Sequence, residues 1–278
     1  MKKNSIILLF LVITTLTFAQ KREKIKGSKI VTTSIKEVGD FDSIEVDDNI
    51  ELYLERGEKN EIKIEADDNL HEIIGMDLRE KTLRLYTSKE TSIFKKLSVR
   101  VTYTSSLKKL ISKNEAIIYA IQELQLDDLT INAYDYSKLF LNINAKKFSL
   151  AVDDKTKAEL NLKSDHGILQ LSKNSVVKAL VTAKEFKCDL YQRGTATLEG
   201  FVEKGTIRLD NNATFTGTKL SIKEASLVAE SYATANISAE ISISIAAGDK
   251  SEVMLYGNPK IELTRFSEEA KLIKKISK

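Results

Sequence analysis

The chain has 278 residues, with 43 basic and 40 acidic side chains and a formal net charge of +3. This near balance gives no electrostatic reason to expect a nucleic acid or an anionic membrane as partner. Because Cys188 is the single cysteine, an intramolecular disulfide is excluded, and packing and backbone hydrogen bonds must supply the stability.

Residues 1–19 have the three-part layout of a secretory signal peptide. Lys2 and Lys3 precede an apolar run over residues 6–18, and small residues lead to Ala19. The run is shorter than the roughly 20 residues that span a bilayer. We therefore predict cleavage after Ala19, no integral membrane segment in the mature chain, and an exported protein that is periplasmic or lies at the cell surface. Because cleavage removes Lys2 and Lys3, it would leave 41 basic side chains against 40 acidic ones.

Residues 20–37 form a lead-in, and residues 38–105 are predicted as an N-terminal β part. Apolar residues alternate with polar ones along 44–55 and again along 97–103. Alternation with a period of two indicates strands that bury one face. Between these strands, residues 69–75 fit a single helical turn.

Residues 106–278 are predicted as solenoid repeats with a period of about 19 that end in a C-terminal cap, a partial last coil over residues 262–278. In each unit a polar, turn-like pair precedes a hydroxyl residue, and apolar alternation follows. These hydroxyl residues are Ser137, Thr156, Ser175, Thr195, Thr214, Thr234 and Ser251, with spacings of 19, 19, 20, 19, 20 and 17. A unit this short holds only two or three strands and buries its apolar side chains by stacking on the next unit. We predict an all-β solenoid with the hydroxyl residues aligned in a ladder at one turn. A β-sandwich would also alternate, but it would not keep this spacing over seven units.

Three segments carry a resemblance to a known family. They are 41–46 (Phe-Asp-Ser-Ile-Glu-Val), 48–52 (Asp-Asn-Ile-Glu-Leu) and 255–259 (Leu-Tyr-Gly-Asn-Pro). They resemble the putative auto-transporter adhesin head GIN domain, a domain of unknown function, over roughly residues 38–278. The resemblance implies a right-handed parallel β-helix and a location in the envelope or outside the cell. Members carry repeated Gly-Ser-Gly-like turns, whereas this chain has turns such as Asp-Tyr-Ser and Asp-Lys-Thr, so it resembles a divergent member.

Four tyrosines at or beside the repeat turn are the candidate ligand-binding residues. They are Tyr134, Tyr136, Tyr191 and Tyr232. Aromatic rings spaced along one face of a solenoid can stack on sugar rings. Packing between coils explains the same residues equally well, so both interpretations stay open.

The sequence also suggests an enzyme as the alternative class. Asp135, Asp154 and Asp210 have roughly matching places in the repeat, and carboxylates on adjacent coils are used by polysaccharide lyases and hydrolases of β-helix type. Adjacent acids are equally typical of ordinary turns, and the Gly-rich calcium repeat is absent. Whether the acidic pairs bind calcium is therefore left open.

The remaining reactive side chains favour no catalytic or metal site. His166 is predicted in a solvated turn, His71 in the possible helical turn, and Cys188 in the interior, where it alternates with Phe186 and Leu190. No phosphate loop, nucleotide fingerprint or catalytic triad layout appears. We assign no catalytic residues, metal or cofactor. The predicted function is a non-enzymatic solenoid module that binds an envelope protein or a glycan, or serves as a scaffold.

Overall fold

The computed structural model describes residues 22–276, so the predicted signal peptide at 1–19 lies outside the described residues. Strands make up 69% of the chain and helix 2%, which confirms the all-β prediction. The strands form a solenoid of about nine coils with a less regular N-terminal part. The N-terminal elements are β1 (Lys24–Lys26), β2 (Val31–Glu37), β3 (Ser43–Val46), β4 (Glu51–Arg56), β5 (Glu61–Asp67), a 3-10 helix (Asp68–Ile73), β6 (Ile74–Arg79), β7 (Thr82–Thr87), β8 (Glu90–Ser92) and β9 (Leu97–Tyr103).

The regular coils follow. Their strands are β10 (Lys109–Ser112), β11 (Ile117–Ala133), β12 (Lys138–Val152), β13 (Lys157–Leu171), β14 (Val176–Leu190), β15 (Thr195–Leu209), β16 (Thr214–Ala229), β17 (Thr234–Ala247), β18 (Glu252–Tyr256), β19 (Lys260–Phe266) and β20 (Lys271–Lys274).

Each long strand of a coil is two half-strands that meet at a corner. Along β12, buried and more exposed residues alternate up to Ala145, the pair Lys146 and Lys147 is exposed, and alternation resumes at Phe148. Two consecutive outward residues shift the phase of a period-two pattern, so the chain can turn the corner while both half-strands keep their apolar side chains inside. One coil thus has two flat sides and one tight turn.

Successive coils pair in parallel in a constant register. Leu139 lies opposite Ala158, which lies opposite Val177, which lies opposite Ala196. All four are inward-facing and buried, so the core is a continuous column of apolar residues. Because each coil hydrogen-bonds to the coils on both sides, the stack satisfies its backbone polar groups without disulfides.

The repeat turn has the same backbone conformation in coil after coil. In residues 134–137, Asp135 and Tyr136 both have positive φ, of 52° and 66°, and the Ser137 N–H donates to the Tyr134 carbonyl. Two left-handed residues in succession define a type I′ turn. The turns are also joined to each other, since the Tyr136 N–H donates to the carbonyl of Asp154 in the next turn.

The hydroxyl ladder predicted at this turn is only partly correct. The fourth turn position is filled by Ser137, Thr156, Ser175, Gly194, Ala213, Ala233 and Ser251, so the true spacings are 19, 19, 19, 19, 20 and 18. Thr195, Thr214 and Thr234 lie one residue further along. The side chain at this position is fully buried, and the hydroxyls of Thr156, Ser175 and Ser251 have no hydrogen-bond partner. Small size, and not a hydroxyl, is the requirement.

The N-terminal part combines parallel and antiparallel pairing. β3 and β4 continue the parallel stack below β10 and β11, whereas β5 pairs antiparallel with β2 and β9. The 3-10 helix, Asp68–Ile73, occupies most of the segment predicted as a helical turn. The region is therefore a folded end on the solenoid and has no counterpart in the regular coils.

Asp67 holds the N-terminal part together from inside. Its carboxylate is fully buried and accepts backbone N–H bonds from Lys29, Lys95 and Lys96 at 2.8–3.1 Å. Burial by itself raises the pKa of Asp67, but these donors favour the ionised form and bring its pKa below the ordinary value of 3.8. A Cβ on Gly27 would lie 2.2 Å from this carboxylate, so only glycine fits there.

No helix within residues 22–276 combines the length and apolar character needed to cross a membrane.

Candidate binding site on the outer face of the coils

The structure separates the four predicted tyrosines. Tyr134 and Tyr136 share one turn, Tyr191 lies three turns further along, and Tyr232 two turns beyond that. At about 4.8 Å per coil, Tyr136 and Tyr232 are roughly 24 Å apart. They are therefore spread along the turn edge of the coils and are not gathered in one cluster.

Tyr136 and Tyr232 are the exposed members of this set, at 49% and 58%. Both occupy the third turn position, and a lysine of the next turn covers each ring. Lys155 Nζ lies 4.8 Å from the centroid of Tyr136, and Lys250 Nζ lies 5.8 Å from that of Tyr232. Lys155 also donates a 2.7 Å hydrogen bond to the Tyr136 hydroxyl.

A different set of aromatic residues does come together. Tyr53, Tyr119 and Phe140 lie opposite one another on β4, β11 and β12. The ring centroids are 4.9 and 5.2 Å apart, with interplanar angles of 14° and 10°. All three side chains point outward and are half-buried. We call this set the aromatic column.

Charged residues cover the aromatic column at the end formed by Tyr53. Lys96 Nζ and the Arg100 guanidinium lie 5.3 and 5.6 Å from the ring centroid of Tyr53. Lys96 is paired with Glu51 at 3.0 Å, and the Tyr53 hydroxyl donates to the same carboxylate. Burial and the nearby Glu51 charge raise the pKa of Tyr53, so its hydroxyl stays protonated. Cations over one ring face leave no room for a ligand there.

At the other end, formed by Phe140, the aromatic column borders a groove of about 530 Å³. Phe140 lies at its end, and the outward residues of the next three coils line it. Those with polar or exposed side chains are Glu159, Asn161, Lys178, Leu180, Thr197 and Glu199. Leu180 is 51% exposed, and the Asn161 amide donates to Asn142 at 3.1 Å. An aromatic ring beside amide, hydroxyl and carboxylate groups provides both an apolar platform and hydrogen-bonding partners.

A second groove, of about 420 Å³, lies beside the aromatic column. Its cationic residues are Lys138, Lys155 and Lys157, and Tyr136 and Phe94 supply aromatic surface. We call it the lysine groove. Lys138 precedes Phe140 by two residues on β12, so both side chains point outward, about 7 Å apart along the strand.

The three aspartates considered for catalysis do not converge. Asp135 and Asp154 occupy the second position of adjacent turns, whereas Asp210 occupies the first position of a turn three coils further along. Within residues 22–276, no group of three or more His, Cys, Asp or Glu side chains is placed to hold a metal ion.

The other reactive side chains lie in ordinary structural positions. His166 is exposed at a corner, 2.9 Å from Glu185 on the next coil. His71 lies within 3.2 Å of the Thr32 and Ser34 hydroxyls on β2. Cys188 is fully buried in the core column, where burial raises its pKa, so the thiol is not a nucleophile in the folded chain.

The aromatic column and both grooves were missed by the sequence reasoning. The positions of the rings in the sequence differ by 66 and by 21, and neither spacing matches the repeat. The period of the coils alone would not align them, because β11 contains an irregularity between Ala120 and Leu124. The usable signal was the outward place of Tyr119 and Phe140 in alternating strands.

Comparison with known proteins adds the family. A family model described as "Putative auto-transporter adhesin, head GIN domain" matches residues 40–166 and 155–259. A search of curated proteins gave no match.

Solved structures share the fold. A putative adhesin from Parabacteroides merdae is 20% identical, with a TM-score of 0.66 over 91% of this chain and 97% of the other. A putative adhesin from Parabacteroides distasonis is 18% identical, with a TM-score of 0.66 over 91% and 98%. A putative lipid binding protein from the same species is 14% identical, with a TM-score of 0.61 over 91% and 98%.

Proposed function

Since this chain belongs to the family of the putative auto-transporter adhesin head GIN domain, we propose that it is an exported, non-enzymatic binding module of the cell envelope or cell surface. The module binds a glycan on the outer face of its coils. The site is the aromatic column together with the groove that begins at Phe140.

The aromatic column carries this proposal. Outward-facing aromatic residues expose apolar surface to water, and their stacking across three coils is worth about 0.5–1.5 kcal/mol per pair. Stacking and the cations over Tyr53 occupy the other ring faces, so a ligand would contact Phe140 from the groove side, where Glu159 lies opposite it on the next coil. A sugar ring placed there would meet the amide of Asn161 and the carboxylate of Glu159. This combination of platform and polar groups is suited to a pyranose ring.

Charge pairing supports binding over catalysis. Glu159 lies opposite Lys178, and Glu199 pairs with Lys219 at 3.1 Å. An acid opposite a lysine on the neighbouring coil differs from the pair of carboxyl groups that a glycosidase places on either side of the scissile bond. Asp135, Asp154 and Asp210, the acids of the alternative enzyme interpretation, lie outside this groove.

The test is binding of residues 20–278 to a broad glycan array, with Phe140→Ala and Asn161→Ala as variants. We expect each variant to weaken binding about tenfold, because one stacking or hydrogen-bonding contact is worth roughly 1–1.5 kcal/mol. Tyr232→Ala, which removes an exposed aromatic residue on a distant turn, is the matched control and is expected to bind normally. Asn161 is exposed, so its variant does not disturb the core.

Two results would contradict the proposal. One is the absence of binding to any glycan. The other is release of reducing ends from a bound polysaccharide, which would move the assignment to the enzyme class. Loss of binding in Tyr232→Ala alone would instead restore the turn tyrosines as the site.

A further inference from the structure

Along the strands of the coils, charged residues that lie directly opposite each other have unlike charges, with one exception. In the parallel pairs of β11–β18 and β20, directly opposed charged residues have opposite sign: Asp128 with Lys147, Glu159 with Lys178, Glu185 with Lys204, Asp189 with Arg208, Glu199 with Lys219, Lys204 with Glu224, and Glu252 with Lys271. Lys138 and Lys157 are opposed to each other. Among the directly opposed strand residues that the structure describes in these pairs, this is the one pair of like formal charge.

This pair costs stability where it stands. The backbones of opposed residues on neighbouring strands are about 4.8 Å apart, and side chains of like charge in directly opposed positions are destabilising. Neither Lys138 nor Lys157 has an ion-pair partner among residues 22–276. The fold gains no stability from these two opposed lysines, so we take them as a site for a negatively charged ligand.

The surroundings do not cancel this positive charge. Lys155 also lines the lysine groove and is oriented by its hydrogen bond to Tyr136. Glu51 lines it as well, but its charge is already paired with Lys96. Glu115 is the remaining carboxylate, so three ammonium groups face one unpaired acid.

We propose that the lysine groove binds the carboxylate or sulfate group of an acidic polysaccharide, whose sugar ring lies against the aromatic column. This inference rests on the proposed glycan-binding function and specifies its ligand class. Lys138 and Phe140 are two residues apart on β12 with both side chains outward. With that spacing of about 7 Å along the strand, one sugar ring and its acidic substituent would contact both side chains. A phosphate without a sugar would use the lysines and leave the aromatic column unused.

The experiment compares four probes on residues 20–278: polygalacturonate, dextran sulfate, neutral dextran, and phosphatidylglycerol vesicles. We expect tight, salt-sensitive binding of at least one acidic polysaccharide, since exposed charges are screened beyond about 8 Å at physiological ionic strength. The double variant Lys138→Gln/Lys157→Gln is expected to weaken that binding about tenfold or more. It should melt at the same or a higher temperature than the parent, because it removes a repulsion.

The matched control is Lys146→Gln/Lys184→Gln. Both lysines are exposed and are paired with an acid on the neighbouring coil, at 2.7 and 2.8 Å. This variant makes the same change in net charge, and we expect less than about a twofold effect on binding. An equal loss in both double variants would reduce the effect to overall charge and overturn the proposal.

The other outcomes also separate the two proposals. If neutral dextran binds as well as the acidic probes and Phe140→Ala abolishes it, the acidic ligand is wrong and the glycan-binding function stands. If vesicles bind through Lys138 and Lys157 while no polysaccharide does, both proposals fail and a lipid surface replaces them.

Discussion

The regular coils and the N-terminal part obey different rules. In the coils, one parallel register repeats from β12 to β15, and directly opposed strand charges are of unlike sign except for Lys138 and Lys157. In the N-terminal part, parallel and antiparallel strands meet around the buried carboxylate of Asp67. The aromatic column lies where they join, since Tyr53 belongs to the N-terminal part and Phe140 to the coils. The repeated coils form the scaffold, and the aromatic column forms at their junction with the N-terminal part.

Removing a core side chain from the coils should give the largest effect. Phe215 on β16 is fully buried, and Phe215→Ala is expected to cost about 3–5 kcal/mol, because the cavity cannot collapse in a close-packed column. In a stack held by nearest-neighbour contacts, the loss should appear first in β15–β17, as faster amide exchange than in the N-terminal part. Phe201→Ala is the control, since this ring on β15 is only half-buried. Uniform weakening of both regions would show that they unfold together.

Asp67→Asn tests the N-terminal part and should rank second. We expect a loss of about 2–3 kcal/mol, because bonds from backbone N–H groups to a charged acceptor are each worth about 1.5–3 kcal/mol. The pKa of Asp67 is lowered in the folded chain. Its contribution is therefore fully present above the ordinary value of 3.8 and is lost as the pH falls through the folded pKa.

The measurement for Asp67 is denaturant unfolding at pH 7 and at steps below pH 4. The Asn variant should lose less stability on acidification than the parent chain does. Asp68→Asn, at an exposed neighbouring residue, is the control. Equal acid sensitivity in the parent and in Asp67→Asn would show that the buried carboxylate does not link the two segments.

The turns should give the smallest effect, and it should be favourable. Gln192 and Arg193 have φ values of 47° and 66°, a left-handed pair without glycine. Changing them to Asn-Gly, the pair that type I′ turns prefer, is expected to raise stability by about 0.5–1 kcal/mol. A small rise in melting temperature would confirm that the coils tolerate strain at their turns. A fall would mean that these side chains stabilise the stack.

The period of the coils could be predicted from sequence, but the exact alignment and the site could not. A shared hydroxyl places Thr195 at the fourth turn position, but the backbone demands only a small residue there, and Gly194 occupies it. Tyr53 and Tyr119 are brought together by the pairing of β4 with β11. No local pattern encodes that pairing, since it depends on how the whole N-terminal part folds back.

The bond from each turn to the next has a consequence for how such a chain can change its length. The Tyr136, Lys155 and Asn174 N–H groups each donate to a carbonyl in the following turn. A duplication of one whole coil would reproduce every one of these joints and extend the outer face by about 4.8 Å. A shorter insertion inside a turn would break the joint on both sides. The length of the solenoid can therefore change only by whole coils.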